Sequence, residues 1–372
     1  MDSSPELRAR LRQKAPIPLD AEIACAPGEV LALVGPSGSG KSTVLRAIAG
    51  IYRPREGLVE CGGETWLDTE KTLDLPTHQR AVGLVFQSYA LFPHMTAMGN
   101  VMASLGHLPK DQRAEAAHGW LARVHLAGLE ARRPAELSGG QQQRVAVARA
   151  LARNPKVLLL DEPFSAVDRS TRQRLYRELA ELRGEVRVPI MLVTHDLDEA
   201  ARLADRMTIL RQGRTLQSGP PHDVMARPAS VEVARLVDLR NIFTARVKAH
   251  RPETNATLIE WGPLTLEAAH RPDFAAGQSV AWSIPSARVV LHRRDRPSRG
   301  EAENPVPGAV AEYVRLGDAV SLGVRLTWES SLLLFLTVPL HVAQRNGLAL
   351  GVSVTASLLS EAIHLMPPAD DE

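Results

Sequence analysis

A glycine-rich turn with one lysine is the strongest chemical feature of the sequence. It consists of nine consecutive residues: Gly35, Pro36, Ser37, Gly38, Ser39, Gly40, Lys41, Ser42 and Thr43. The glycines allow successive backbone N–H groups to face a phosphate, and the helix expected next adds positive potential. Lys41 supplies a compact positive charge to the phosphates, and the Ser42 hydroxyl suits Mg²⁺. This spacing, directly after an apolar run, predicts a phosphate-binding P-loop.

A second run has the composition of an anion site but no lysine of its own. It reads Leu137-Ser138-Gly139-Gly140-Gln141 and leads into an apolar, helix-forming stretch. Ser138 is a natural N-cap, and the two glycines expose backbone N–H groups at the start of the helix. Taken alone, the run is better explained as a well-capped helix than as an anion site.

Two adjacent acids end the apolar run Val157–Leu160. Asp161 suits water-mediated binding of Mg²⁺, and Glu162 suits the polarisation of an attacking water as a general base. Such acids could instead cap the following helix. Their coexistence with a P-loop favours the hydrolytic interpretation.

The elements that must position these residues alternate in type. Val30–Val34, Val157–Leu160 and Ile190–Val193 have the composition of buried strands, and Lys41–Ala49 and Ser170–Leu182 that of helices. This alternation predicts an α/β domain with a largely parallel sheet, which places ligands beyond the carboxyl ends of its strands.

After Pro228 the pattern changes to short alternating runs, including residues 280–284 and 320–328, which predict a small antiparallel barrel. We therefore predict two domains, residues 1–237 and 238–372. A polar linker near residues 293–307 divides the second domain into two unequal pieces.

Composition limits the classes of function. With 44% apolar residues, 23% charged residues and a formal net charge of +2, the chain shows neither a nucleic-acid footprint nor a polybasic membrane anchor. The two cysteines lack metal-ligand spacing and are expected to be reduced thiols. The apolar runs are too short to cross a membrane, and the N-terminal residues do not form a signal peptide, so any membrane passage is expected from other chains.

The glycine runs and the acidic pair, in this order, resemble the ATP-binding subunits of ABC transporters over about residues 20–235. The resemblance implies an α/β P-loop ABC ATPase domain with a helical subdomain, hydrolysis of ATP with Mg²⁺, and a head-to-tail homodimer. In that family, the signature run of one subunit closes over the nucleotide on the P-loop of its partner. Four residues match that signature: Ser138, Gly139, Gly140 and Gln141.

The resemblance also gives roles to isolated residues. Gln87 matches the Q-loop, which contacts Mg²⁺ and water, and His195 matches the switch histidine at the γ-phosphate. Asp168 matches the D-loop, which connects the two nucleotide sites. The implied catalytic residues are Glu162, His195 and Gln87, and the implied Mg²⁺ ligands are Ser42, Gln87 and Asp161.

The remaining segments narrow the class of transporter. Residues 241–243, 284–291 and 307–310 resemble the all-β, OB-like regulatory modules of import ATPases. Such importers contain two permease subunits and a periplasmic solute-binding protein, and their ATPase lies on the cytoplasmic face of the inner membrane. Residues 346–365 and 66–83 resemble molybdate import ATPases, so molybdate or a related oxyanion is the first solute predicted. The alternatives are sulfate or thiosulfate, ferric iron and polyamine. The C-terminal domain is expected either to sense an oxyanion or only to stabilise the dimer.

One departure from the family concerns adenine. Most relatives stack adenine on an aromatic side chain upstream of the P-loop, whereas no aromatic residue precedes Tyr52 here. We therefore expect phosphate-dominated binding with weak discrimination between bases. Two rival classes, a non-transport ABC protein and a pure oxyanion sensor, fit less well, because the chain has a single cassette and a full set of hydrolytic residues.

Overall fold

The computed structural model of the protein describes residues 7–165, 167, 169–185, 187–291 and 303–369. Two compact units divide after Pro221: a first unit of residues 1–221 and a second unit of residues 222–372. The domain boundary predicted after residue 237 stays a prediction. Residues 293–302 of the predicted linker lie outside the described residues, and Pro305–Pro307 already belong to a strand.

The first unit is built on one mixed sheet. Its strands are β1 (Leu7–Gln13), β2 (Leu19–Cys25), β3 (Val30–Val34), β4 (Glu56–Cys61), β5 (Glu64–Asp68), β6 (Leu73–Asp74), β7 (Val82–Val85), β8 (Val157–Asp161), β9 (Ile190–Thr194), β10 (Arg206–Arg211) and β11 (Arg214–Gly219). The spatial order is β6-β5-β4-β1-β2-β11-β10-β3-β9-β8-β7. Strands β10, β3, β9, β8 and β7 run parallel, and β3, β8 and β9 are buried at every position. The predicted parallel sheet is confirmed.

The helices of this unit are α1 (Lys41–Ile48), α2 (Ala97–Met102), α3 (Arg113–Arg123), α4 (Gly139–Leu151), α5 (Arg169–Glu185) and α6 (Leu197–Leu203). Between β7 and β8, helices α2, α3 and α4 share a separate apolar cluster, because each turns small or aliphatic residues such as Ala97, Leu121 and Ala148 inward. This cluster is the predicted helical subdomain. Among the described residues, none of the helices is long and apolar enough to span a bilayer.

Two short helices come next in the chain: α7 (Pro221–Ala226), which starts at the last residue of the first unit, and α8 (Val231–Leu236). The second unit is otherwise rich in strands. These are β12 (Ile242–Arg251), β13 (Ala256–Trp261), β14 (Leu264–Ala269), β15 (Ser279–Ser283), β16 (Val289–Leu291), β17 (Pro305–Leu316), β18 (Ala319–Leu326), β19 (Leu333–Pro339), β20 (Ser353–Leu358) and β21 (His364–Met366), with α9 (Leu340–Arg345) between β19 and β20.

The strands of the second unit form two antiparallel five-stranded sheets, β14-β13-β12-β15-β21 and β16-β20-β17-β18-β19. Alternate residues of both sheets, among them Trp282, Leu322 and Leu336, enter one shared core. The predicted strand-rich, OB-like second domain is confirmed. The alternating run 320–328 ends earlier than predicted, because β18 stops at Leu326 and Trp328 lies in the loop that follows.

Candidate functional site

The P-loop joins buried strand β3 to helix α1, and its glycines are needed for two different reasons. Gly35 lies against β10, where a Cβ would stand 2.0 Å from the Leu210 carbonyl oxygen. Gly38 and Gly40 have positive φ angles of 79° and 97°, which glycine adopts without strain. Pro36, Ser37 and Gly38 are exposed at the top of the loop. The turn is therefore fixed at its base and open at its tip.

Lys41 lies at the centre of this turn. Its Nζ donates to the carbonyl oxygens of Gly35 at 2.7 Å and Pro36 at 2.9 Å, and to Ser39 Oγ at 3.5 Å. Burial lowers the pKa of Lys41, against the opposing effect of the Glu162 and Asp161 carboxylates. The ammonium group is thus held within the loop, next to the exposed tip where phosphates would lie.

The hydroxyl of Ser42 and the carboxylate of Asp161 come from different elements but are adjacent. Ser42 Oγ donates to Asp161 Oδ1 at 2.9 Å, which joins the first turn of α1 to the carboxyl end of β8. Burial raises the pKa of Asp161, and the neighbouring Glu162 charge adds to this effect. A hydroxyl and a carboxylate are ligands that Mg²⁺ prefers, so the pair fits the predicted metal site.

Glu162 lies between Gln87 and His195. Gln87 Nε2 donates to Glu162 Oε2 at 3.3 Å, and His195 Nδ1 lies 3.4 Å from Glu162 Oε1. Glu162 has a φ of 45°, which non-glycine residues rarely adopt. Its backbone is held there by a bond from its N–H to the Val193 carbonyl, 3.0 Å, and by Ser165 Oγ, which donates to its carbonyl at 2.9 Å. The carboxylate therefore points between the ends of three strands.

The loop between β1 and β2 approaches the P-loop through a turn of β10 and β11. The Gly213 N–H donates to the Ser39 carbonyl, and the Asp20 N–H donates to the Gly213 carbonyl, each at 2.8 Å. A Cβ at Gly213 would stand 1.9 Å from the Pro18 carbonyl oxygen, so the two loops are in close contact. Ile17, in the loop between β1 and β2, is 39% exposed.

The signature run starts helix α4 as predicted. Ser138 is its N-cap: Ser138 Oγ accepts from the Gln141 N–H at 3.3 Å, and Gln141 Oε1 accepts from the Ser138 N–H at 2.8 Å. Ser138 and Gly139 are exposed, whereas Gly140 is buried. The capping box uses the N–H groups of Ser138 and Gln141, so those of Gly139 and Gly140 are the ones that an anion of a second molecule could reach.

The structure brings most of the predicted residues into one cluster. The P-loop, Ser42, Asp161, Glu162, Gln87 and His195 meet at the carboxyl ends of β3, β7, β8 and β9. Residues 138–141 form a separate surface at the start of α4. Asp168 lies outside the described residues. Within the part of the chain that is described, no group of three or more His, Cys, Asp and Glu side chains is arranged to hold a metal.

Sequence reasoning missed Ser165 and Arg149. Gln87 Nε2 also donates to Ser165 Oγ at 3.4 Å, so Ser165 holds both the Gln87 amide and the Glu162 backbone. Arg149 of α4 donates to the carbonyl oxygens of Ala90 at 2.8 Å and Tyr89 at 2.9 Å. The position of Ser165, three residues after Glu162, could have indicated its role. No sequence signal could have indicated the role of Arg149, because both of its partners are backbone atoms.

A groove of about 670 Å³ lies beside the segment that follows Gln87. It is lined by residues of the sheet and of the helical subdomain, including Ile51, Phe92 and His107. Phe92 is 43% exposed, and its backbone is fixed by Asn100, whose side-chain oxygen accepts from the Phe92 N–H at 2.8 Å. The groove thus has a rigid, partly apolar edge.

Comparison with known proteins agrees with this geometry. The protein-family model for ABC transporters matches residues 19–165. The spermidine/putrescine import ATP-binding protein PotA of Oleidesulfovibrio alaskensis is 40% identical over 306 residues, which cover 80% of this chain and 78% of the relative. The Fe(3+) ions import ATP-binding protein FbpC 1 of Rhizobium meliloti is 45% identical over 231 residues, 61% of this chain and 64% of the relative.

The sulfate/thiosulfate import ATP-binding protein CysA of Halalkalibacterium halodurans is 43% identical over 235 residues, 62% of this chain and 64% of the relative. A solved dimeric structure of MJ0796, a bacterial ABC transporter cassette, matches with a TM-score of 0.50 and 32% identity, over 58% of this chain and 98% of that one. The chain belongs to the ABC transporter family, as an ATP-binding and ATP-hydrolysing subunit of the import type.

Proposed function

We propose that Glu162 is the general base of ATP hydrolysis and that Gln87 and His195 orient it and the attacking water. The observation that carries this assignment is the position of Glu162, with Gln87 at 3.3 Å and His195 at 3.4 Å from its two carboxylate oxygens. The P-loop residues Gly35–Thr43 hold the phosphates through their backbone N–H groups, and Lys41 balances the negative charge that develops there.

Ser42, Asp161 and Gln87 are proposed to hold Mg²⁺. When bound, the ion neutralises phosphate charge and polarises the bond that breaks. Burial raises the pKa of the Asp161 carboxylate despite the opposing charges of Arg46 and Lys41, and a bound cation would stabilise its ionised form further. Ser42 and Asp161 already lie within hydrogen-bond distance, so little rearrangement of the protein is needed.

Two copies of the chain are proposed to hold ATP between them. The start of α4 presents the backbone N–H groups of Gly139 and Gly140 to an anion, since those of Ser138 and Gln141 are used by the capping box. A homodimer would place this surface of one copy over the P-loop of the other, with Asp168 connecting the two sites. Support comes from the related cassette, which was solved as a dimer.

We propose that Ile17 supplies the adenine contact that an aromatic residue supplies in most relatives. Ile17 is exposed on a loop that is bound to the P-loop through Gly213. An aliphatic side chain offers an apolar face to either purine and makes no hydrogen bond that would distinguish adenine from guanine. Hydrolysis of GTP at a rate comparable to that of ATP is the expected consequence.

The groove beside Phe92 is proposed to dock a permease subunit at the cytoplasmic face of the inner membrane. It lies between the sheet and the helical subdomain, and Arg149 ties its edge to α4, the helix that begins with the signature run. A movement of α4 on ATP binding would therefore change the groove and transmit the nucleotide state to the permease. A periplasmic solute-binding protein completes the importer.

For the solute, we place polyamine first. The PotA relative aligns over 306 residues, far more than the first unit of residues 1–221, whereas the iron and sulfate relatives align over 231 and 235, only slightly more than that unit. The likeness to PotA thus includes a large part of the second unit. Molybdate stays a prediction from residues 346–365 and 66–83. In the second of these segments, Arg80 donates to the Ala47 and Ile48 carbonyls at the end of α1, which is a structural role.

Two experiments test these assignments. Glu162→Gln should bind ATP but lose turnover by about 10²–10⁴-fold, as expected for the loss of a general base. Glu22→Gln, at an exposed position on β2, is the matched control and should keep its activity. Turnover of Glu162→Gln at the wild-type rate would remove this residue from the mechanism.

The solute is tested with the ATPase reconstituted with its permease and binding protein in vesicles. Spermidine, Fe³⁺, sulfate and molybdate are compared as stimulants of ATP hydrolysis. Polyamine import predicts stimulation by spermidine alone, and stimulation by molybdate alone would restore the prediction made from the sequence.

A further inference from the structure

The second unit contains a pocket of about 410 Å³ at a discontinuity of its first sheet. Strand β12 pairs with β15 from Ile242 onwards, but it pairs with β13 only from Arg246 onwards. The pocket lies beside Ile242–Thr244, the part of β12 without β13 as a neighbour, and its volume is in the range of small-molecule sites.

Three aromatic rings form one side of this pocket. Phe243 and Trp261 have ring centroids 4.8 Å apart, and Trp328 packs edge-on against Trp261 at 5.2 Å with an interplanar angle of 89°. The faces of aromatic rings carry negative potential and attract organic cations. The wall therefore favours a positively charged ligand over an anion.

The position of Trp328 depends on a specific glycine. A Cβ at Gly262 would stand 2.3 Å from Trp328 Nε1, and Gly262 has a φ of 56°, which side-chain-bearing residues rarely adopt. Trp328 lies in the loop after β18, and its side chain packs closely against the turn between β13 and β14. The aromatic wall is thus a formed part of the fold.

Two charged side chains line the pocket among the described residues, Glu329 and Arg235. Glu329 follows Trp328 directly, and its Oε1 accepts from Ser331 Oγ at 2.7 Å, which orients the carboxylate. Arg235 is an exposed residue of α8. An alkylammonium group would pair with Glu329 while its carbon chain contacts the aromatic rings and Leu332.

We propose that this pocket of the second unit binds a small organic cation of the alkylammonium class. The site is separate from the nucleotide site and does not depend on which solute the importer carries. It also differs in chemistry from the oxyanion sensor expected from the sequence, because an oxyanion requires converging positive charges or N–H groups rather than aromatic faces.

The test is calorimetric titration of the full chain without nucleotide, at constant ionic strength. The probes are putrescine, a four-carbon dication, and succinate, a four-carbon dianion of similar length. One saturable putrescine site per chain and no site for succinate are expected. Absence of saturable putrescine binding would overturn the proposal.

Four variants show whether binding occurs in this pocket. Glu329→Gln should weaken putrescine binding about tenfold, since a charge-assisted contact is lost, and Trp328→Leu should weaken it about fivefold. Arg235→Gln should leave it unchanged or tighter. Glu253→Gln, an exposed acid just beyond the opposite end of β12, is the matched control and should have no effect.

Three other results would contradict the proposal. Equal losses in Glu329→Gln and Glu253→Gln would indicate nonspecific attraction of a dication to surface acids. Loss of binding in Arg235→Gln, together with saturable binding of succinate or sulfate, would define an anion site instead. Unchanged binding in Glu329→Gln would place the cation elsewhere, and because Glu329 is exposed, this variant is expected to fold normally.

Discussion

The two units assemble their sites from the sequence in different ways. In the first unit, the reactive residues follow directly after buried parallel strands, as Gly35 follows β3 and Glu162 follows β8. In the second unit, the pocket combines Phe243, Trp261 and Trp328 from positions far apart in the chain. A parallel sheet gathers the carboxyl ends of its strands at one edge, so short motifs specify a site. In an antiparallel sheet, the register of the paired strands decides which residues become neighbours, and short sequence motifs do not reveal that register.

One glycine of each site shows the same difference, in what a single added Cβ atom would contact. At Gly35, an added Cβ would meet a backbone carbonyl of β10, which cannot move without disturbing the sheet. At Gly262, it would meet the edge of the Trp328 indole, a side chain of a loop, which can shift at a lower cost than the backbone of a sheet. The first site is therefore expected to tolerate change less than the second.

The largest predicted effect tests this difference directly. Gly35→Ala should lower the free energy of unfolding by about 3 kcal/mol and abolish ATP binding, because the methyl group overpacks against fixed backbone. Gly262→Ala should cost about 1–2 kcal/mol, mainly from its positive φ. Urea unfolding and nucleotide titration of both variants provide the measurement. Equal losses, or a larger loss at Gly262, would contradict the comparison.

Ser138 separates the structural role of the signature from its role towards phosphate. Ser138→Asp keeps an equally good N-cap, so stability should change by less than about 0.5 kcal/mol. Turnover should fall about 10²-fold, because a carboxylate would face the phosphates of the partner's ATP. Ser138→Ala is the control, with a loss of about 1 kcal/mol of stability and no added charge. Wild-type turnover in Ser138→Asp would show that α4 does not contact nucleotide.

Substitutions of Ile17 test the adenine contact proposed for the first unit. Ile17→Tyr should tighten ATP binding about tenfold, since a stacked aromatic ring adds attraction to a base, and Ile17→Ala should weaken it slightly. Fluorescent-nucleotide titration of the three proteins gives the comparison. The adenine assignment is wrong if both variants bind ATP as the wild type does.

The smallest effect concerns the pH dependence of the second unit. Burial lowers the pKa of His364, with Arg271 and Arg227 adding to the effect, while its hydrogen bond to the Pro228 carbonyl at 2.9 Å opposes it. As the pH falls through the ordinary histidine pKa of 6.5, the unfolded chain takes up a proton more readily than the folded chain. Stability should therefore decrease below that pH, and His364→Gln should remove this part of the decrease. Thermal melts at several pH values test it, and identical pH profiles would contradict it.

The fold and much of the nucleotide site could be predicted from the sequence because they rest on local patterns. The apolar run Val30–Val34 before a glycine-rich turn determines both a buried strand and a phosphate loop. Ser138 was predicted as an N-cap from its position before two glycines, and the structure confirms it. Such features depend only on residues that are close together in the sequence.

Other features depend on distant contacts and could not be predicted. Arg149 fixes Tyr89 and Ala90 through backbone carbonyls, which no residue pattern identifies. Trp328 was predicted as the end of an alternating strand, but tertiary packing against Gly262 and Trp261 places it in a loop. The aromatic pocket could therefore be identified only once the pairing of the strands was known.

The most direct test of the central claim is the rate of ATP hydrolysis per chain as a function of protein concentration. If ATP is bound between the P-loop of one copy and Ser138 of the other, the specific rate should rise with concentration until the dimer saturates. Ser138→Asp should remain slow at every concentration. A specific rate that stays constant while sedimentation shows only monomer, with Ser138→Asp fully active, would contradict the account.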